Sequence, residues 1–126
     1  MTQTPQPSLL DRVRGLFGRS ADDGRLGSSV SASRAVDLVA DGVALLDVRE
    51  RGEWKSGHAP QAVHVPPGEI EKAPRRLKQD QPVLVVCASG MRSRTAAKQL
   101  RGLGFDAASV SGGMAAWQAA GGAVRR

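Results

Sequence analysis

Cys87 is the only cysteine among the 126 residues. It closes an apolar run, Val83-Leu84-Val85-Val86, that opens directly into Ala88-Ser89-Gly90-Met91-Arg92-Ser93. A thiolate rather than a thiol is the nucleophile, and an ordinary cysteine with a pKa of about 8.5 is only slightly ionised at neutral pH. The residues after Cys87 favour the anion. Gly90 permits a tight turn with positive φ, so that backbone N–H groups converge on one point. Ser89 and Ser93 add hydroxyl donors. A helix opening near Arg92 and Ser93 presents its unpaired amides and the positive end of its dipole, and Arg92 and Arg94 add formal charge. Each unit by which the thiol pKa falls corresponds to about 1.4 kcal/mol of preference for the anion, which a few aimed amides supply. A lone cysteine at the end of a core strand is often inert packing. Packing, however, has no use for Gly, Ser and Arg placed directly after it, so the loop reads as a reactive site that holds an anion.

Further candidates support this loop. Asp47, Arg49, Glu50 and Glu53 lie at or just after the end of a second near-continuous apolar run, Val43 to Val48, and two or three of them are expected to form an ion-pair network. The network holds the loop after that strand, and Asp47 could in addition anchor an arginine of the cysteine loop. His58, in a Gly-His-Ala-Pro turn, is read as a brace for the loop network rather than a base. His64, alternating with Val63 and Val65, is read as exposed or as a satisfied structural histidine. One cysteine cannot form an internal disulfide, and two histidines beside it make no zinc ligand set, so no metal and no organic cofactor is expected.

The elements that must position these residues alternate along the chain. Residues 1–29 are expected to be a flexible extension, with an amphipathic helix over 9–17 and a Gly/Ser/Asp-rich linker from Gly18 to Ser29. The domain then spans 30–120. It comprises a helix from Ser31 or Ser33 through Ala40, a strand over 43–48, a charged turn or short helix over 50–55, and a short strand over 62–65. A helical stretch over 68–79, broken or kinked at Pro74, precedes the central strand over 83–87. A helix over 93–103, a strand over 105–110 and a last helix over 114–120 complete it. The tail, 121–126, is expected to be mobile. Strands buried on both faces, alternating with helices, predict a three-layer α/β/α domain around a central, mostly parallel sheet.

Composition sets the outer bounds. A hydrophobic content of 40% in 126 residues suffices for one core, and with two Phe, two Trp and no Tyr that core must be built from Val, Leu and Ala. The formal net charge of +6 is scattered, densest at Arg75, Arg76 and Lys78 and at Arg92, Arg94, Lys98 and Arg101. Neither group is interleaved with aromatics, so nucleic acid is not an expected partner. No apolar run approaches the about 20 residues a membrane span needs, and Met1 to Leu10 lacks a basic start followed by a long apolar stretch. The expected setting is the cytoplasm, without stable membrane insertion.

Three segments in order, LLDVRERGEWKSGHAPQAVHVP, VLVVCASGMRS and SGGMAAW, resemble the single-domain rhodanese-like sulfurtransferases over roughly 30–120. The resemblance implies a rhodanese-like α/β fold and a catalytic Cys87 that takes sulfane sulfur from thiosulfate or a persulfide. Cys87 then passes the sulfur to cyanide or a thiol, a protein sulfur acceptor included. It implies that the amides of the loop Ala88 to Ser93 cradle the outer sulfur, with Asp47, Arg49, Glu53, Gly57, His58, Gly112, Gly113 and Trp117 at framework positions. Many thiosulfate-active relatives carry a basic residue directly after the cysteine, where this chain has Ala88. Phosphatase relatives of the same fold place five residues between Cys and Arg. Four lie between Cys87 and Arg92, which favours sulfur over phosphate. The competing reading from another class is a non-catalytic interaction or sulfur-carrier module.

Overall fold

A computed structural model describes residues 25–126; the expected amphipathic helix over 9–17 lies outside the described residues. Five strands form one sheet, β1 (Ser29–Val30), β2 (Ala44–Asp47), β3 (Val63–His64), β4 (Val83–Val86) and β5 (Ala107–Val110), in the order β1-β5-β4-β2-β3. All four pairings are parallel. Between the strands lie α1 (Ala32–Ala40), α2 (Arg51–Ser56), a 3-10 helix (Ile70–Arg76) and α3 (Met91–Gly102), and α4 (Gly113–Ala119) follows β5.

The alternation of side chains along each strand divides the core into two layers. Leu45, Leu84, Val86, Ala108 and Val110 meet Leu38 and Val39 of α1 and Met114 and Trp117 of α4. Leu46, Val83, Val85 and Ala107 meet Ile70 and Ala73 of the 3-10 helix and Ala96, Ala97 and Leu100 of α3. Cys87 continues the parity of Val83 and Val85, so it belongs to the α3 layer. Burying each Leu or Val of these layers contributes about 1.5–3 kcal/mol. The three-layer α/β/α arrangement is the one expected.

Local chemistry accounts for the element ends. Ser31 caps α1 by accepting the Arg34 N–H at 3.3 Å. α2 opens with a reciprocal box in which Glu53 accepts the Glu50 N–H at 2.9 Å. Around Pro74, which has no N–H to donate, the chain winds as one continuous 3-10 stretch rather than two pieces. No helix among the described residues is long and apolar enough to cross a membrane.

Two boundaries differ from expectation. The segment up to Ser29 is not all linker: Leu26 is buried in the α1/α4 layer, and Ser29 and Val30 pair with β5. Its Gly and Ser content masks one well-placed leucine. The tail expected to be mobile is tied down. His58 and Arg125 exchange two backbone hydrogen bonds of 2.9 and 2.7 Å, and the buried Trp117 indole donates to the Ala123 carbonyl at 2.9 Å. The physical reason is that an indole N–H taken from water needs an acceptor, and the tail brings one. Truncation after Gly121 should therefore lower unfolding stability by about 1–3 kcal/mol, read from the urea midpoint; an unchanged midpoint would restore a free tail.

Candidate active site

β4 delivers Cys87 to the C-terminal edge of the sheet, where open parallel sheets place their ligands. Its residue is fully buried, and Sγ accepts the Gly90 N–H at 3.0 Å and the Ser93 N–H at 3.3 Å. Gly90 makes this convergence sterically allowed: it caps α3 at φ 104, in the left-handed region. α3 thus begins at Met91, slightly earlier than expected, and the Ser93 amide of its first turn, with that of its cap Gly90, faces the sulfur.

Ser93 contributes a second time through its hydroxyl. The thiol Sγ donates to Oγ at 3.5 Å, and Oγ donates to the Gly90 carbonyl at 3.1 Å and lies 2.7 Å from Ser109 Oγ. Ser93 and Ser109 are both buried, at 0% and 1% exposure, so the hydroxyl chain that starts at Sγ is closed to water. Ser109 went unnoticed in the sequence; its signal is one hydroxyl inside the apolar run of β5.

Burial is the largest influence on Cys87 and pushes its thiol up. The Ser93 hydroxyl and the amides of Ser93, Gly90 and Ser89 together outweigh it, so the thiol is held below its ordinary range. Ser89 acts here through its backbone, and its residue is exposed, as is Ala88.

The loop is braced from the opposite layer by α4. The Met114 N–H donates to the Cys87 carbonyl at 2.9 Å. Gly113, at φ 63, sits so close that a Cβ there would overlap the Ala88 and Cys87 carbonyl groups. This contact explains why the SGG segment accompanies the cysteine loop.

The ionic network is wired differently from the pairing considered for Asp47. Asp47, fully buried, binds Arg49: Nη2 donates to Oδ2 at 2.7 Å, and both Nε and the Arg49 N–H donate to Oδ1 at 3.0 Å. Arg49 Nη2 also donates to the Gly57 carbonyl at 2.7 Å, locking the end of α2 to β2. Asp47 therefore anchors no arginine of the cysteine loop. That role falls to Glu53, which accepts from both Arg92 terminal nitrogens, at 2.7 and 3.0 Å. The Arg92 hydrogen bond is the main reason the Glu53 carboxyl drops from 4.5 to about 2, and Glu53 in turn holds Arg92 more firmly charged.

His58 braces α2 rather than the cysteine loop. Its ring stacks on Trp54 at 3.6 Å, and Nδ1 lies 2.8 Å from the Trp54 carbonyl. His64 is a satisfied structural histidine: Nε2 lies 2.7 Å from the Arg49 carbonyl, and the ring stacks against Trp54 at 4.8 Å. Trp54, which has no local signal for this role in the sequence, is the platform for both. Among the described residues no group of three or more His, Cys, Asp and Glu is arranged to hold a metal ion.

Beside the loop runs a groove of about 310 Å³. Its apolar lining includes Val48, Pro66, Ile70 and Ala96, and its charged lining is Arg92 and Glu71. Val48, Ile70 and Ala96 belong to the same packed layer as Cys87.

Two variants test this arrangement. Ser93→Ala removes the hydroxyl and keeps the amides, so the midpoint of pH-dependent iodoacetamide alkylation should move up; a one-unit rise would cut the thiolate fraction at neutral pH by up to about tenfold. Glu53 has a depressed folded-state pKa, so its contribution to stability is complete above pH 4.5 and disappears as pH falls toward about 2. Glu53→Gln should flatten the loss of stability across that window in urea titrations.

A family model described as the rhodanese-like domain matches residues 31–120. A Bacillus subtilis protein named "Putative sulfurtransferase YtwF" is 43% identical over 74 residues, 59% of this chain and 72% of that protein. Another from the same organism, named "Putative sulfur carrier protein YrkF", is 39% identical over 74 residues; the match takes in 58% of this chain but only 40% of that protein's length. Among solved structures, a rhodanese-related protein from Thermoplasma volcanium superposes with a TM-score of 0.70 at 30% identity, covering 78% of this chain and 97% of that one. The rhodanese-like domain of an Anabaena protein superposes with a TM-score of 0.72 at 27% identity, covering 79% and 80%.

Proposed function

The chain belongs to the rhodanese-like domain family, and on that premise we propose that it is a sulfurtransferase carrying sulfane sulfur as a persulfide on Cys87. The observation that supports this most is the convergence of the Gly90 and Ser93 amides and the Ser93 hydroxyl on one buried sulfur whose thiol is held low. Cys87 thiolate attacks the sulfane sulfur of a donor X–S. The X–S bond breaks, X leaves with its electron pair, and Cys87–S–S⁻ forms. The outer sulfur then carries negative charge, and the amides from Ala88 through Arg92, at the loop and the start of α3, are the groups that stabilise it. An acceptor nucleophile, cyanide or a thiol, next attacks that outer sulfur; the S–S bond breaks and the Cys87 thiolate returns. Neither step calls on a metal or an organic cofactor.

The two family relatives, one named as a sulfurtransferase and one as a sulfur carrier, are consistent with sulfur handling and differ in whether turnover is implied. The phosphatase reading fares worse. A phosphate ester needs a guanidinium free to clamp its oxygens, whereas both terminal nitrogens of Arg92 are on Glu53.

Intact-mass measurement after exposure to a persulfide donor should show a gain of one sulfur atom that cyanide removes. Cys87→Ser should show none. A wild-type protein that never gains sulfur, or a Cys87→Ser variant that does, would end this reading. A wild-type protein that gains sulfur but returns it to neither cyanide nor thiols would reduce the proposal to the carrier role.

A further inference from the structure

Ser109 comes from β5, 16 residues from Ser93, and reaches the sulfur only through the Ser93 hydroxyl. The rest of β5 is Ala, Ala and Val, and Ser109 is 1% exposed. A hydroxyl in such a place has lost its water and needs a partner. Counting hydrogens decides which atom donates. A serine hydroxyl has one hydrogen and two lone pairs. The Ser93 hydrogen goes to the Gly90 carbonyl at 3.1 Å, and Ser93 Oγ accepts from the Cys87 thiol at 3.5 Å. Its second lone pair is left for Ser109, which therefore donates across 2.7 Å.

Ionisation of Cys87 changes one partner in this arrangement. The thiolate has no hydrogen to give, and the Ser93 hydroxyl can turn its own from Gly90 toward Sγ. The Gly90 carbonyl can release it, because the Arg94 N–H also donates to that carbonyl at 3.3 Å, so the turn leaves no buried oxygen without a partner. Ser109 donates to Ser93 Oγ before and after the turn. It thereby fixes that oxygen and strengthens the O–H that Ser93 gives to the sulfur. We propose that Ser109 is a positioning residue for Cys87: from β5 it pins the Ser93 hydroxyl as a rotor that accepts from the thiol and donates to the thiolate. The proton lost from Cys87 goes to a buffer base, and both hydroxyl hydrogens stay on their own oxygens. Charged groups do not replace this device. Arg92 of α3 is tied to Glu53 of α2, Asp47 and Arg49 at the end of β2 are tied to each other, and β5 and α4 carry no ionisable residue. Arg94, Lys98 and Arg101 of α3 are exposed, as are the ionisable residues of the 3-10 helix. The place of Ser109 in sulfur transfer rests on the reading above; its effect on ionisation does not.

The test is the pH midpoint of Cys87 alkylation by iodoacetamide, read in a double-mutant cycle. Ser109→Ala removes one oxygen and should raise the midpoint by about half a unit, an about threefold loss of thiolate at pH values below it. Added to Ser93→Ala, the same change should raise nothing further, because the hydroxyl through which it acts is gone. Ser109→Thr and Ser109→Val share one shape and differ in the hydroxyl. The threonine variant should keep the wild-type midpoint and the valine variant should show the rise, which separates a lost hydrogen bond from a lost fit. An unchanged midpoint in Ser109→Ala and Ser109→Val, an equal rise in the Ser93→Ala background, or an equal rise in the threonine and valine variants would overturn the inference. Intact mass after exposure to a persulfide donor reads the sulfurtransferase proposal separately. Protein that follows this cycle yet gains no sulfur ends that proposal and leaves the role of Ser109 standing.

Discussion

A sulfur anion at the end of a buried strand has lost water as a solvating partner, and the protein must supply the replacement. This constraint organises the loop. The Gly90 and Ser93 amides, with the Ser93 hydroxyl beside them, take the place of that solvent, and the amides are fixed in place ahead of the sulfur transfer proposed above. Burial alone would hold the thiol protonated, and only the number and aim of these donors reverse the direction. Their aim depends on backbone, because a helix must begin within a few residues of the strand, which a left-handed Gly90 allows.

Keeping that backbone in place is the task of both covering layers. From one side, α4 donates its Met114 N–H to the Cys87 carbonyl and packs the Cβ-free Gly113 onto Ala88. From the other, α3 is tied through Arg92 to Glu53 on α2, and α2 is tied through Gly57 to Arg49 and Asp47 at the end of β2. The two ion pairs in this chain of contacts differ in kind. Asp47 and Arg49 are out of water, and removing one partner of such a pair costs about 3–5 kcal/mol because the other charge is stranded. Glu53 and Arg92 are each about a third exposed, at 35% and 37%, so their pairing contributes less to stability and more to the electrostatic character of the adjoining groove. The inner pair is scaffold, and the outer one faces the groove.

Much of this was legible in the residues. The short, near-continuous apolar runs over 43–48 and 83–87, alternating with helical segments, pointed to a parallel sheet with helices on both sides. Cys87 at the end of one run, followed by Gly90 and two serines, marked the loop in which backbone amides meet the sulfur. Ser31 caps α1 and Pro74 keeps its stretch out of a regular α-helix because their effects act within a few residues. In each case the cause and the consequence are neighbours in the chain.

What only the tertiary structure decided are the pairings between residues distant in sequence. Nothing local distinguishes Asp47 from Glu53 as the partner of Arg92; strand register buries Asp47 beside Arg49 and leaves Glu53 on the α2 turn that reaches α3. Ser109 joins Ser93 because β5 lies next to β4, and Trp54 meets His64 because β3 brings that ring back to the residues of α2. Leu26 and the tail past Ala120 have the composition of loose ends, yet one fills the core and the other supplies an acceptor for Trp117. The sequence by itself determined the elements and the chemistry of the cysteine loop, since those follow from short-range sterics and hydrogen bonding. The charge state of the groove beside it was decided only when folding brought a carboxylate from 39 residues away onto Arg92.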